Sequence, residues 1–162
     1  FTALELTDRF RSTDLVATTL IFYGCLLYVA DRFSAQTRCF EDMTLKDAIL
    51  VGCAQAFALI PGTSRSGVTM TMARFLGFSR PEAARFSFLL SIPAVIGAGV
   101  LVGKDLLNAP ATQQVDALIA GGLTFIAAIA TMAFLMRWLK RASMTVFVVY
   151  RILLGIALLS FA

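Results

Sequence analysis

Long runs without charge are the main pattern in this chain. Four runs carry no charged residue and a fifth carries only Arg151: Leu15–Ala30, Ala48–Pro61, Phe86–Gly103, Ala117–Met136 and Ala142–Ala162. Because about 20 apolar residues cross a bilayer core as a helix, all runs except the second predict spanning helices, four in total. The first run borrows Ser12–Asp14 to reach this length, and Ser143 starts the last helix. The pattern predicts one all-α integral membrane domain over residues 1–162.

The second run is too short to cross a membrane comfortably. It ends in Pro61–Gly67, a segment of turn formers and hydroxyls that resists helix continuation. A second short helical run begins at about Val68 and stops at Gly77, a typical helix end. We therefore predict a re-entrant helical hairpin over about residues 47–77. Irregular backbone at membrane depth is tolerated only where protein buries it or a wet cavity solvates it.

Composition excludes most soluble classes of protein. Of the 162 residues, 59% are hydrophobic and 15% are charged, with a mean hydropathy of +0.82. Soluble domains are about half apolar and about one quarter charged. The net charge of +4 therefore fits membrane topology and not nucleic-acid binding. Histidine is absent, so this chain alone offers no imidazole base, phosphohistidine or His-ligated metal.

Basic residues are unevenly divided between the two sides that a re-entrant hairpin defines. Nine lie on the side where the hairpin enters and leaves: Arg32, Arg38, Lys46, Arg74, Arg80, Arg85, Arg137, Lys140 and Arg141. The other side carries Arg9, Arg11 and Lys104, which makes the first side cytoplasmic. If the hairpin instead crossed the membrane, the basic residues would be divided less unevenly between the two sides, and the excess would lie on the opposite side. The re-entrant hairpin is therefore preferred.

The segment Pro61–Thr69 (PGTSRSGVT) is the main candidate for chemistry. Arg65 offers a planar, permanently charged group suited to phosphate or carboxylate oxygens. The two glycines allow backbone N–H groups to approach a ligand, and the next helix directs its N-terminus into the same turn. Hydroxyl groups come from four neighbours: Thr63, Ser64, Ser66 and Thr69. An arginine within the membrane is costly without a function, so these groups predict an anion site.

Structural explanations remain open for several of these residues. The Pro-Gly pair could kink a helix that the serines cap, while Arg65 pairs with a carboxylate elsewhere. Arg151 either faces a cavity or pairs with a carboxylate outside this chain. Gly99 and Gly103 form a small-xxx-small pair that favours close helix packing over a dimer interface.

Two segments carry a resemblance to a known family. Gln55–Thr69, followed by Arg80–Pro93 (RPEAARFSFLLSIP), closely resembles the bacterial undecaprenyl-diphosphatases, the bacitracin-resistance proteins. The resemblance implies a multi-pass enzyme of the bacterial inner membrane that converts undecaprenyl diphosphate to the monophosphate and phosphate. This reaction recycles the lipid carrier for peptidoglycan synthesis. The family fold is an inverted repeat with one hairpin in each half, and this chain looks like the C-terminal half.

The resemblance also implies roles for individual residues. Arg65 would hold the diphosphate, with Ser64 and Ser66 as the other catalytic residues. Further contacts to the phosphates would come from Gly62, Thr63, Gly67, Thr69 and Gln55. Whether a serine or a metal-bound water attacks is left open.

The chain departs from the family in what it lacks. Family members carry an N-terminal motif of two glutamates four apart and a histidine, and nothing here matches it. The chain also starts at Phe1. We therefore expect a portion of a longer protein that is inactive by itself. A divalent cation, Mg²⁺ or Ca²⁺, would take its ligands from the missing half, and we expect no metal site in this chain.

Two other function classes compete with the phosphatase. Broken helices that aim their N-termini at an anion also occur in transporters, so a transporter or flippase of a polyprenyl phosphate lipid is the main alternative. A scaffold without any site is the other. The expected partners are a polyprenyl diphosphate lipid and the membrane, with a homodimer as an open alternative and no nucleic acid.

Overall fold

The computed structural model describes residues 12–161, which form helices joined by turns, and no strand occurs among them. The helices are α1 (Thr13–Phe33), α2 (Leu45–Gln55), α3 (Arg65–Phe75), α4 (Arg80–Leu107), α5 (Ala111–Leu139) and α6 (Thr145–Phe161). Short 3-10 turns cover Phe40–Asp42 and Ala56–Leu59. The prediction of an all-α membrane fold is confirmed.

Three helices are long and apolar enough to cross a membrane: α1, α4 and α5, with 21, 28 and 29 residues. The fourth predicted span, α6, has 17 residues and is a shorter apolar helix. At 1.5 Å per residue α6 is about 25 Å long, somewhat less than a hydrocarbon core of about 30 Å. The structure thus supports three of the four predicted spans by length. Arg9 and Arg11, assigned above to one side of the membrane, lie outside the described residues.

Helices α2 and α3 form a hairpin whose open end is held by Arg38. Its Nη1 donates hydrogen bonds to Asp47 Oδ1 at 3.2 Å and to the Leu76 carbonyl at 3.0 Å. The start of α2 and the end of α3 therefore lie side by side. Gly77 follows α3 with a φ of +87°, as the predicted helix end requires. Whether the hairpin is re-entrant stays a prediction.

The start of α3 differs from the expectation. The helix begins at Arg65, so a start at Val68 is wrong. The physical reason is the cap: Ser64 Oγ accepts a hydrogen bond from the Gly67 N–H at 3.3 Å, which forms a helical turn before Val68. The serines and Arg65 therefore belong to the first turn of α3 and not to a loop ahead of it.

Helices α1 and α6 pack closely and antiparallel. A Cβ atom on Gly24 would lie 3.5 Å from Arg151 Cβ, and one on Gly155 would lie 2.6 Å from Ile21 Cγ1. Glycine thus allows the two helices to approach. Gly99 and Gly103 have no such neighbour within 4 Å in the described part of the chain, so the close packing expected there is not observed.

Candidate functional site

The turn between α2 and α3 is seated directly on α1. The Thr19 hydroxyl lies 2.7 Å from the Pro61 carbonyl oxygen. Gly62 has a φ of +85°, and a Cβ atom there would lie 2.3 Å from Thr19 Oγ1 and 2.6 Å from the Val16 carbonyl. Both the backbone conformation and the contact with α1 therefore require glycine. The close approach that the structure shows at Gly62 is to α1, and the predicted role of Gly62 toward phosphate stays a prediction.

Ser64 has an unusual backbone and a partly free hydroxyl. Its φ of 66° and ψ of 115° make it the non-glycine residue with positive φ among those described. Such a conformation costs about 1–3 kcal/mol and persists only where the surroundings impose it, commonly at functional sites. The side chain is exposed and its Oγ accepts the Gly67 N–H, so its own proton remains available to a ligand.

Arg151 reaches the turn from α6. Its Nη2 donates hydrogen bonds to the carbonyl oxygens of Gly62 at 3.0 Å and Thr63 at 2.8 Å. The residue is 7% exposed, and no carboxylate of residues 12–160 lies within 4.0 Å of its guanidinium. Nη1 makes no hydrogen bond within the same range, and a Cβ atom on Gly67 would lie 2.8 Å from it. Arg151 thus lines the cavity described next, and a pairing with a carboxylate outside this chain stays an open alternative.

A cavity of about 450 Å³ opens beside this guanidinium. Its polar lining consists of Ser64, Ser66, Gly67 and Arg151, together with the aromatic Tyr150. The remaining walls are apolar and come from α1 and from α3 to α6: Leu20, Leu27, Met70, Phe88, Leu135, Leu139, Met144, Phe147 and Leu154. One cationic, hydroxyl-bearing end in an apolar chamber is suited to an amphiphile with an anionic head.

Arg65 lies on a different face of α3 from the cavity. Its Nη1 donates a 3.5 Å hydrogen bond to the Ser91 carbonyl of α4. One helical turn later, Thr69 Oγ1 lies 2.7 Å from Ser87 Oγ of the same helix. Residues four apart share a helix face, which explains why both contact α4. Arg65 therefore does not line the cavity, although its Nε and Nη2 make no hydrogen bond with the described residues.

The other predicted phosphate ligands are not brought to the cavity. Thr63 is wholly buried, and its Oγ1 has no hydrogen-bond partner among the described residues. Thr69 is 1% exposed and bonded as above. Gln55 ends α2, half-buried and away from the cavity lining. Their roles toward phosphate stay predictions, while Ser64, Ser66 and Gly67 lie where an anion could reach them.

The described residues do not fit a metal ion. Among residues 12–160, no three His, Cys, Asp or Glu side chains come together in an arrangement that could hold one. Ligands for Mg²⁺ or Ca²⁺ would have to come from elsewhere, as the resemblance implies.

Fold and site together define an α-helical membrane protein with a hydroxyl-bearing turn and an arginine beside an apolar cavity. The chain belongs to the family described as bacitracin resistance protein BacA, which matches residues 2–157. The predicted family membership is confirmed.

Three relatives carry the name undecaprenyl-diphosphatase. The protein of Erythrobacter litoralis is 62% identical over 157 residues, covering 97% of this chain and 55% of its own length. Those of Roseobacter denitrificans and Ruegeria pomeroyi are 44% and 43% identical, and each match covers 97% of this chain and 59% of the relative. The chain therefore spans a little over half the length of the curated relatives it matches.

Proposed function

We propose that this chain forms part of the active site of an undecaprenyl-diphosphatase, which hydrolyses undecaprenyl diphosphate to undecaprenyl phosphate and phosphate. The enzyme would lie in the bacterial inner membrane and recycle the lipid carrier for peptidoglycan synthesis. The observation that carries the proposal is Nη1 of Arg151, which makes no hydrogen bond within residues 12–160 and belongs to a residue that lines an apolar cavity together with Ser64, Ser66 and Gly67.

These residues suit the electrostatic demands of phosphoryl transfer. The reaction depends mainly on positioning and on stabilising charge over the phosphoryl oxygens. Arg151 supplies a permanent positive charge that no carboxylate neutralises within residues 12–160. The N-terminus of α3 adds backbone donors and a positive dipole end, and the Ser64 hydroxyl adds a further donor. Arg65 would contact a phosphate group that extends toward α4.

The lipid tail would occupy the apolar part of the cavity. Its leucine, methionine and phenylalanine side chains offer no hydrogen bonds, so they favour a hydrocarbon chain over water. A polyprenyl diphosphate combines such a chain with a charged head. This combination matches the division of the cavity into one polar end and apolar walls.

Activation of the nucleophile requires groups beyond those described. A serine hydroxyl is a weak nucleophile without an adjacent base, and no Asp, Glu or His lines the cavity of the described chain. We therefore expect the isolated 162-residue chain to release no phosphate.

Formation of a homodimer stays a prediction.

The test is phosphate release from undecaprenyl diphosphate by the natural-length protein in vesicles of phosphatidylethanolamine and phosphatidylglycerol. The Arg151→Gln variant should lose most of its activity, because it removes the charge next to the phosphate. Arg137→Gln is the matched control, since Arg137 is exposed on α5 and does not line the cavity. Full activity of Arg151→Gln would contradict the assignment. Relocation of intact lipid across the vesicle without phosphate release would reject the enzyme and favour the flippase.

A further inference from the structure

A buried carboxylate joins four of the helices. Asp31 lies in the last turn of α1 and is 6% exposed. Its Oδ1 accepts a 2.7 Å hydrogen bond from Arg80 Nε and lies 3.3 Å from Arg74 Nε. Its Oδ2 accepts a 3.2 Å bond from the Met144 backbone N–H. The Asp31 carbonyl also accepts a bond from Arg74 Nη2 at 3.1 Å. One residue of α1 is thus connected to α3, α4 and α6.

Two of these contacts hold helices that carry the polar end of the cavity. Met144 directly precedes α6, and Arg151 follows two helical turns later, about 10 Å along the axis. Arg74 lies in the last turn of α3, and Ser64 caps the other end of that helix about 15 Å away. Because a helix is stiff along its axis, holding one end sets the position of the other.

The connections close into a ring. From Asp31 the path runs along α6 to Arg151, which donates to the carbonyl oxygens of the turn. The Pro61 carbonyl of the same turn contacts Thr19. Thr19 lies on α1, the helix that also carries Asp31. Asp31 and Thr19 are therefore two contact points on α1. The polar groups of the cavity, on α6 and at the start of α3, are connected to α1 through these two residues.

Stability alone is a weak explanation for such a residue. A buried ion pair contributes little net stability compared with apolar side chains of similar volume, although breaking one is strongly destabilising. An anion in the last turn of a helix is also opposed by the helix dipole. Setting the relative positions of four helices is a role that apolar side chains, which lack directional bonds, fill less well.

We propose that Asp31 is a positioning residue, which sets the axial positions of Arg151 and of the α3 N-terminus without touching substrate. Its effect on turnover rests on the function proposed above. Its effect on the structure of the turn does not, and this difference allows the two ideas to be tested separately.

The experiment compares Asp31→Asn with Asp47→Asn in the natural-length protein. Asp47 is a matched control, because it is equally buried and pairs with Arg38 at 2.6 Å but has no contact with α6. Hydrogen exchange measured by mass spectrometry reports the protection of residues 61–70. Phosphate release from undecaprenyl diphosphate, with kcat and KM determined per folded protein, reports turnover.

In Asp31→Asn we expect exchange over residues 61–70 to accelerate by about tenfold or more, the effect of losing one charged hydrogen bond. We expect kcat to fall about 10- to 100-fold with little change in KM, since small misplacements act mainly on the reacting geometry. Asp47→Asn should change neither. Unchanged exchange over residues 61–70 in Asp31→Asn, or equal acceleration in both variants, would overturn the proposal. If the natural-length wild type releases no phosphate, the proposed function fails and the exchange result still decides the role of Asp31.

Asp31→Asn leaves Arg74, which is wholly buried, without its carboxylate, so this variant could fail to fold. The double variant Asp31→Leu with Arg74→Leu replaces the buried pair by apolar side chains, an exchange that is often neutral or stabilising. It also removes the hydrogen bonds from Arg74 to the carbonyls of Asp31 and Phe78. Arg80 is 24% exposed and can turn to water. The double variant should fold and show the same rapid exchange over residues 61–70 and the same loss of kcat. Wild-type protection in the folded double variant would refute the positioning role.

Discussion

The guanidinium of Arg151 lies 2.8 Å from the carbonyl oxygen of Thr63, which links the last helix to the turn at the head of α3. The same nitrogen also donates to the Gly62 carbonyl. The side chain therefore has two tasks: one edge holds the backbone of the turn, and the other edge faces the cavity. Substitutions that keep the charge but lose the planar group separate these tasks.

Arg151→Lys should reduce phosphate release roughly tenfold or more, since charged hydrogen bonds contribute about 1.5–3 kcal/mol each. Lysine keeps the positive charge, but a single ammonium group cannot hold both carbonyls and also face a ligand. The measurement is kcat/KM of the natural-length protein in vesicles. Arg137→Lys serves as control. Retention of full kcat/KM in Arg151→Lys would mean that only the charge matters.

Gly62→Ala should destabilise the protein by about 2 kcal/mol or more, through strained φ and overpacking against α1. The added Cβ would lie 2.3 Å from Thr19 Oγ1, and the φ of +85° is unfavourable for alanine. Gly99→Ala is the matched control, because Gly99 is helical with open space and alanine favours a helix by up to about 1 kcal/mol. Thermal unfolding in detergent measures the stability of both variants. A Gly62→Ala variant as stable as Gly99→Ala would contradict the seating of the turn on α1.

The local features of this fold are predictable from sequence, and the placement of its side chains is not. Uncharged runs indicate α1, α4 and α5, and Pro61–Gly62 marks the break between α2 and α3, because these signals depend only on neighbouring residues. The residue at which α3 starts is harder to predict from the sequence. It depends on the Ser64 hydroxyl, which could equally have served a ligand in a loop.

The separation of Arg65 from Arg151 illustrates what sequence cannot supply. Which face of α3 meets the cavity depends on the rotation of that helix against α4, and this rotation is set by contacts such as Thr69 with Ser87. Asp31 is a further example. In the sequence it is one acidic residue at the end of an apolar run, and its contacts with α3, α4 and α6 appear only in the tertiary structure.

Thr63→Val should leave stability unchanged or raise it by up to about 1 kcal/mol, because valine removes a buried hydroxyl that has no partner in the part of the chain that the structure describes. Phosphate release should also be kept, since Thr63 does not line the cavity. Thr69→Val is the comparison. It breaks the bond to Ser87 and should cost about 1 kcal/mol. Unfolding in detergent measures stability, and phosphate release measures turnover. A large loss of turnover in Thr63→Val would support the predicted role of Thr63 in binding phosphate.

The ion pair at the open end of the hairpin should make stability depend on pH in the acid range. The hydrogen bonds from Arg38, together with those from Thr44, hold the pKa of the Asp47 carboxyl well below its usual range. In an unfolded chain this pKa is about 3.9, so the stabilisation is complete above about pH 5 and is lost as the pH falls below about 4. Asp47→Asn should therefore lower the melting temperature at pH 7. Between pH 5 and pH 3, the melting temperature of this variant should fall less than that of the wild type. Asp105→Asn is the control, because Asp105 is exposed and forms no ion pair within residues 12–160. If the wild type and Asp47→Asn lost stability in parallel over this range, the acid sensitivity would belong to other carboxylates and the Arg38–Asp47 contact would contribute little.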